Sequence, residues 1–336
     1  MSAIRTLYAA LIIFLTITGA LTLYLGDADW NSIVANTIAR LHGQPATWNP
    51  LLDERLPRLI VIWCSGASLA VAGAVMQSLF HNPLASPSVL GVSCGGSLSV
   101  ILVFLFGLQL EYPYAIPIAA VGGALGTLLF VYALSSFSNV PIMSNLILTG
   151  IAVSTLLIAI QSVILYAIRD QWQLIQTLTE WEAGSTLDRG WKHVHMQLPL
   201  TLIGLTVAWS YRHEIDIMAL GQDEARSLGV EVEQVRWRLF LSVALLTGGT
   251  LASIGVIAFF GLVLPHLLRN LVGPNNSLII PLCMLAGSAT LAALDLLLRY
   301  FQVQIFSIGN ISAVIGGLFF LSLLFFRQSR WRRQPV

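Results

Sequence analysis

Long apolar runs alternate with short charged segments along this chain, and the spacing of the charges sets the number of elements. No Asp, Glu, Lys or Arg occurs from Leu59 to Leu110, and none from Tyr112 to Ile168. A bilayer core takes roughly 20 apolar residues per helix, so each gap must fold back once and supply two membrane spans. The breaks are legible in the sequence. His81-Asn82-Pro83 and Ser86-Pro87-Ser88 put helix-ending residues inside the first gap, and Ser135 to Pro141 does the same in the second. Spans are therefore predicted over 6–25, 59–79, 89–109, 114–134 and 142–167.

The second half continues the pattern. Residues 198–211 form a sixth span ahead of the polar stretch Arg212–Arg238. From Leu239 to Leu268 the chain carries no charge but holds Gly248, Gly249, Gly255, Gly261 and Pro265. That run exceeds one span and falls short of two, so a full helix is predicted over 239–258 and a short one over 259–271. The ninth and tenth spans cover 278–298 and 309–326. The expected fold is all-α: one polytopic transmembrane bundle of about ten helices over residues 1–336. The first apolar run has no small-residue cleavage site after it and reads as a retained signal anchor.

Composition agrees. Of 336 residues, 56% are hydrophobic and 10% charged, against about 25% charged in ordinary soluble domains, so a soluble globule is excluded. A net charge of +1 gives no basic face for nucleic acid. Cys64, Cys94 and Cys283 each lie inside an apolar run and read as small packing residues. With an even number of spans both termini share a side. That side holds Arg5, the 212–238 loop, Arg269 and the tail Arg327, Arg330, Arg332 and Arg333, ten of the seventeen basic residues. The positive-inside rule makes it cytoplasmic.

Few residues carry candidate chemistry. Within the 212–238 loop, residues 222–228 are helix formers followed by Gly229 at the end of the helix. Ala225 and Leu228 are expected on one exposed face, suited to docking in a groove of a soluble partner; a plain solvated connector is the other reading. Asp295 and Arg299 stand four apart near the outer end of the ninth span, a spacing that allows a helical ion pair. Gly66-x-x-Leu69-Ala70-x-x-Gly73 recurs as Gly248-x-x-Leu251-Ala252-x-x-Gly255. Small residues so spaced let membrane helices approach closely, and their recurrence hints at an internal repeat. His193 and His195 read as solvated residues of an outer loop. No phosphate-binding loop, Ser-His-Asp set, zinc motif or haem-attachment pair occurs, so no catalytic, metal or cofactor site is expected. A self-sufficient secondary carrier would need ion-coupling acids inside the spans, and only Asp295 is a candidate. A membrane enzyme would need a polar cluster at one membrane face.

Resemblance carries the reading further. RLPRLIVIWCSGASLAVAGAVMQSLFHNPLASPSVLGVSCGG at 55–96 resembles the signature of the iron-chelate and cobalamin permeases of bacterial ABC importers. Leu56-Pro57-Arg58, Gln77, Asn82-Pro83-Leu84-Ala85-x-Pro87 and Leu90-Gly91-Val92 carry the likeness. MALGQDEARSLGV at 218–230, IAFFGLVLPHLLRNLVG at 257–273, ALDLLLR at 293–299 and Trp181-x-x-Gly184-Ser185 match further blocks in order. The chain departs at Ile254-Gly255-Val256-Ile257, where the family carries Gly-Pro-Ile, and at Phe306-Ser307-Ile308-Gly309, which lacks a proline.

The resemblance implies ten spans per subunit in the bacterial inner membrane and a second permease copy or paralogue around a central path. It also implies a cytoplasmic ATP-binding subunit and a periplasmic substrate-binding protein. Segment 219–230 would be the coupling helix, with Leu220, Gly221, Ala225, Leu228, Gly229 and Val230 at the ATPase contact. Gly66, Ala70, Gly73, Asn82, Pro83, Gly248, Gly255, Asp295 and Arg299 would be packing and structural residues in lipid. Hydrolysis would belong to the partner chain, and the cargo to the ferric-siderophore type, with cobalamin or haem as the alternatives.

Overall fold

The computed structural model describes residues 2–26, 30–42, 48–137, 142–301 and 306–331. Arg332 and Arg333 of the basic tail and residues 138–141 of the predicted second break lie outside this range. Every regular element among the described residues is helical. Helix α1 covers Ser2–Tyr24 and α2 Trp30–Leu41. A π-helical turn, Pro50–Arg55, runs directly into α3, Leu56–Leu79. After a 3₁₀ turn at Pro87–Leu90 come α4 (Val92–Leu105), α5 (Leu108–Glu111), α6 (Ala115–Ser136) and α7 (Ile142–Ala167). Then follow α8 (Trp172–Ala183), α9 (Trp191–Ser210), α10 (Arg212–Met218) and α11 (Gln222–Ser227). The chain closes with α12 (Val232–Ile254), α13 (Phe260–Val272), α14 (Asn276–Tyr300) and α15 (Ile308–Trp331).

Six of these are long and apolar enough to cross a bilayer: α1, the continuous Pro50–Leu79 rod, α6, α7, α12 and α14. Helices α4 and α13 and the segment Ile308–Ser322 of α15 are apolar but shorter. Helix α9 has 20 residues, but Lys192, His193, His195 and Gln197 crowd its first two turns.

Several predicted boundaries move, each for a local reason. The span predicted at 89–109 is α4 alone, 92–105, because Gly91 (φ +75°) and Gly107 (φ +69°) break the backbone on either side. The one predicted at 198–211 begins at Trp191, since a helix can propagate through polar residues that a hydropathy pattern ignores. His193 and His195 accordingly sit on helix α9, and His193 is half-buried rather than loop-borne and solvated. The span predicted at 239–258 starts seven residues earlier and stops at Ile254. Gly255, at φ +78°, turns the chain there, and Phe259, at φ +62°, turns it into α13. Helices α2 and α8 carry too much polarity to be read as spans.

Helix α3 is the hub, packed on α14, α12, α9 and α13. Lipid is as apolar as leucine, so close van der Waals packing and buried hydrogen bonds must hold membrane helices together. Two glycines make that packing close. A Cβ on Gly66 would lie 2.2 Å from the Gly287 carbonyl oxygen, and one on Gly73 1.6 Å from that of Gly261. Ala70 fills the space between, against Gly287. The related motif on α12 does different work. Gly248 lets α12 approach Val121 of α6, whereas Gly255 is the turn beyond the helix, close to Trp181 and Gly184.

Candidate functional site

At one end of the bundle the chain between α9 and α12 folds into two short helices. Gly221, at φ +133°, separates α10 from α11. Helix α11 ends in a paired closure: the Gly229 N–H donates to the Arg226 carbonyl and the Val230 N–H to that of Ala225, both at 3.0 Å. This is the Schellman arrangement, which needs a left-handed residue after the helix, and Gly229 supplies it at φ +86°. Its apolar partner contact is present as well, since Ala225 and Val230 are both buried.

Ala225 is therefore misplaced as a docking residue. It is fully buried in its own chain, within the core that includes Ile215, Met218 and Val235. The reason is geometric: a helix of under two turns closed by a Schellman turn folds its third-from-last residue under the cap. Leu220 and Leu228 point the other way, 67% and 62% exposed. Around them Asp223, Glu224, Glu231 and Glu233 are exposed, with Arg226 of opposite sign among them and Arg238 in the depression beside Glu231. Arg226 lies 3.3 Å from Asp223 and 3.9 Å from Glu233. Two shallow depressions of about 510 and 480 Å³ flank Gly229–Glu231.

Below the rim, the Arg236 guanidinium is fully buried and donates twice to Glu233 from one nitrogen, at 2.8 and 2.9 Å. Tyr132 of α6 donates to the same carboxylate. The rim is thus tied to α6 as well as to its own helix.

At the opposite end of α14, Asp295 does not pair with Arg299. Asp295 is buried against α3 and takes Arg58 at 2.6 Å, with the Thr186 hydroxyl on the same oxygen. Arg299, one turn further on, reaches the end of α1 and donates to the Leu25 carbonyl at 2.8 Å and to that of Thr22. Spacing permitted a pair, but Arg58 occupies the buried face and is the partner there. Arg58 belongs to the Leu-Pro-Arg run and was not singled out for this role. The side chain of Asn82 caps its own turn, accepting from the Leu84 N–H at 2.9 Å, and Pro83 lies exposed in that turn.

Buried polar contacts also join α3 to α9: Gln197 donates to Ser65 at 2.7 Å, and Ser68 meets Thr201 at 3.1 Å. Neither was read from the sequence. Ser and Gln in separate runs carry no signal of being partners until the helices are docked.

A hub helix packed through glycines, helices long and apolar enough to cross a bilayer, and a rim of short helices at one end describe a membrane-embedded helical bundle. Residues 9–326 match the FecCD transport family, and the chain belongs to it. It is 33% identical over 316 residues to a cobalamin import system permease protein, BtuC, of Halobacterium salinarum, covering 93% of this chain and 84% of that one. The hemin transport system permease protein HmuU of Yersinia pestis is 34% identical, with 90% and 91% covered. The Fe(3+) dicitrate transport system permease protein FecD of Escherichia coli is 32% identical, with 94% and 98% covered. A solved ABC transporter in an inward-facing conformation superposes with a TM-score of 0.82 at 27% identity, over 96% of this chain and 99% of that one. The chain is thus an ABC-importer permease, and membership of this family implies an ATP-binding subunit and a substrate-binding protein.

Proposed function

We propose that this chain is the membrane subunit of a bacterial inner-membrane importer for a metal chelate of the ferric-siderophore type, driven by a separate ATPase. The observation that carries the coupling is the rim at 219–230. It is held rigid by a Schellman closure, turns Leu220 and Leu228 outward, and surrounds them with carboxylates. Such a surface suits a groove with apolar pockets and a basic edge on a soluble partner. Ten spans follow if α4, α9, α13 and α15 cross together with the six long helices, and ten spans put both termini on the cytoplasmic side with the rim. A second permease copy or paralogue would complete the central path.

Transport then works by alternating access. ATP binding closes the ATPase pair, the two rims move with it, and the permease subunits tilt about the path. The cargo class rests on the likeness at 55–96. Relatives named for cobalamin, haem and ferric dicitrate agree on a bulky metal chelate and differ on which.

Three measurements test this reading. Permease purified without an ATPase should show no ATP turnover, and sustained turnover would refute it. Leu228→Ala should leave folded protein in the membrane unchanged but weaken ATPase binding about tenfold, the ~1.4 kcal/mol of one lost apolar anchor. Uptake of a labelled ferric siderophore against labelled cobalamin by the reconstituted complex decides the cargo.

A further inference from the structure

We infer that Asp216 and Asn276 form a strap that carries movement of the 219–230 segment into helices α3, α13 and α14. The inference rests on the coupling role proposed above. Asp216 lies on α10, just ahead of the rim. Its carboxylate accepts from the Asn276 backbone N–H at 3.0 and 3.3 Å and from the Asn276 side-chain Nδ2 at 2.6 Å. Asn276 opens α14 and is 2% exposed. Its Oδ1 accepts from the Ser78 hydroxyl of α3 at 2.9 Å and from Arg269 of α13 at 3.0 Å. Arg269 donates further to Ser78 Oγ at 2.6 Å and to the Ala74 carbonyl at 2.9 Å. Four elements thus meet at one buried amide.

The charges fix the direction of that amide. Its N–H groups face a carboxylate and its oxygen faces a guanidinium; the flipped amide would set like partners against each other. The carboxylate also sits where the unpaired N–H groups and positive dipole end of α14 favour an anion. Around this point α10 also touches the bundle through Ile215, Ile217 and Met218, and apolar contacts are non-directional and let surfaces slide. Hydrogen bonds to a buried, doubly held amide resist sliding. Beyond the strap, α3 is locked to α14 at Gly66–Gly287 and to α13 at Gly73–Gly261. A displacement of α10 is therefore imposed on a three-helix block rather than on α12 alone.

The test uses the permease–ATPase complex in membrane vesicles, with Cys64, Cys94 and Cys283 replaced by serine. A single reporter cysteine is placed either at Ser227, on α11, or at Phe301, at the far end of α14. Maleimide labelling rates are compared with the ATPase empty and trapped with ATP and vanadate. Trapping should change the rate several-fold at both positions in the parent. In Asp216→Ala and Asn276→Leu the change at 227 should persist and the change at 301 disappear, with ATPase co-purifying in normal amounts. Asp216→Asn keeps an oxygen for the Asn276 N–H and should give an intermediate response at 301; it decides the matter if the other variants do not accumulate. A response at 301 that equals the parent's in these variants overturns the strap and leaves the coupling role standing. So does a parent that responds at 227 alone. No response at 227 in the parent overturns the coupling role itself.

Discussion

Helices α3 and α7 have almost the same mean hydropathy and opposite surroundings. The apolar window of Pro50–Leu79 has mean hydropathy 2.1 and is 89% buried inside the protein; that of Asn145–Ala167 has 2.2 and is 17% buried. Apolarity therefore tells that both are membrane helices and nothing about their neighbours. What separates them is side-chain size. Between Ser65 and Ala74, α3 carries Gly66, Ala67, Ser68, Ala70, Ala72 and Gly73. Helix α7 turns Leu148, Ile151, Leu156, Ile158 and Val163 outward, each more than half exposed. In lipid, a leucine gains little by leaving hydrocarbon for protein, whereas small residues allow backbones to meet.

The hardest way to strain this contrast is to enlarge a small residue of α3. Gly73→Val should abolish accumulation of folded protein, because the new Cβ would fall 1.6 Å from the Gly261 carbonyl oxygen, on backbone that cannot step aside. Gly126→Val on α6 is the matched control, since nothing lies within 4 Å of its Cβ position. Fluorescence size-exclusion of the detergent extract reads both. A monodisperse Gly73→Val protein would show that α3 and α13 are not in contact as described.

The second strain is electrostatic. Asp295→Ala leaves Arg58 buried without its carboxylate, a loss of about 3–5 kcal/mol in stability. Replacing both, Arg58→Met with Asp295→Leu, removes the stranded charge and should recover most of the loss. Thermal unfolding in detergent measures this. An Asp295→Ala protein as stable as the parent would mean that water reaches the pair.

How much of this was legible in the sequence follows from the same physics. Charge gaps locate apolar helices, so α13 and α14 lie within about two residues of the segments expected at 259–271 and 278–298. Boundaries set by backbone conformation did not, because a helix stops at Gly255 whatever the hydropathy around it. In the rim, the glycine at 229 was readable because the closure demands a residue type. Ala225 was misread because burial depends on what lies beneath, and α10 and the start of α12 are polar enough to look like loop. Arg58 and Asp295 are 237 residues apart and Asp216 and Asn276 are 60 apart; only the fold brings each pair together.

The mildest test falls on α7. Leu156→Ala and Ile158→Ala should change the stability of the isolated permease by less than about 0.5 kcal/mol, as surface substitutions do. The same truncation in an aqueous core costs about 2–5 kcal/mol, from lost transfer energy and the cavity left behind. Neither contribution applies where detergent or lipid contacts the side chain before and after unfolding and flows into the space. The measurement becomes sharper when repeated on the assembled transporter. Leu156 and Ile158 are 56% and 51% exposed in one chain, so a second permease copy could cover them. If it does, the alanine variants remain as stable as the parent when monomeric but dissociate at higher protein concentration when assembled. A loss above about 2 kcal/mol in the monomer would instead mean that α7 packs against its own chain, and the contrast with α3 would fail.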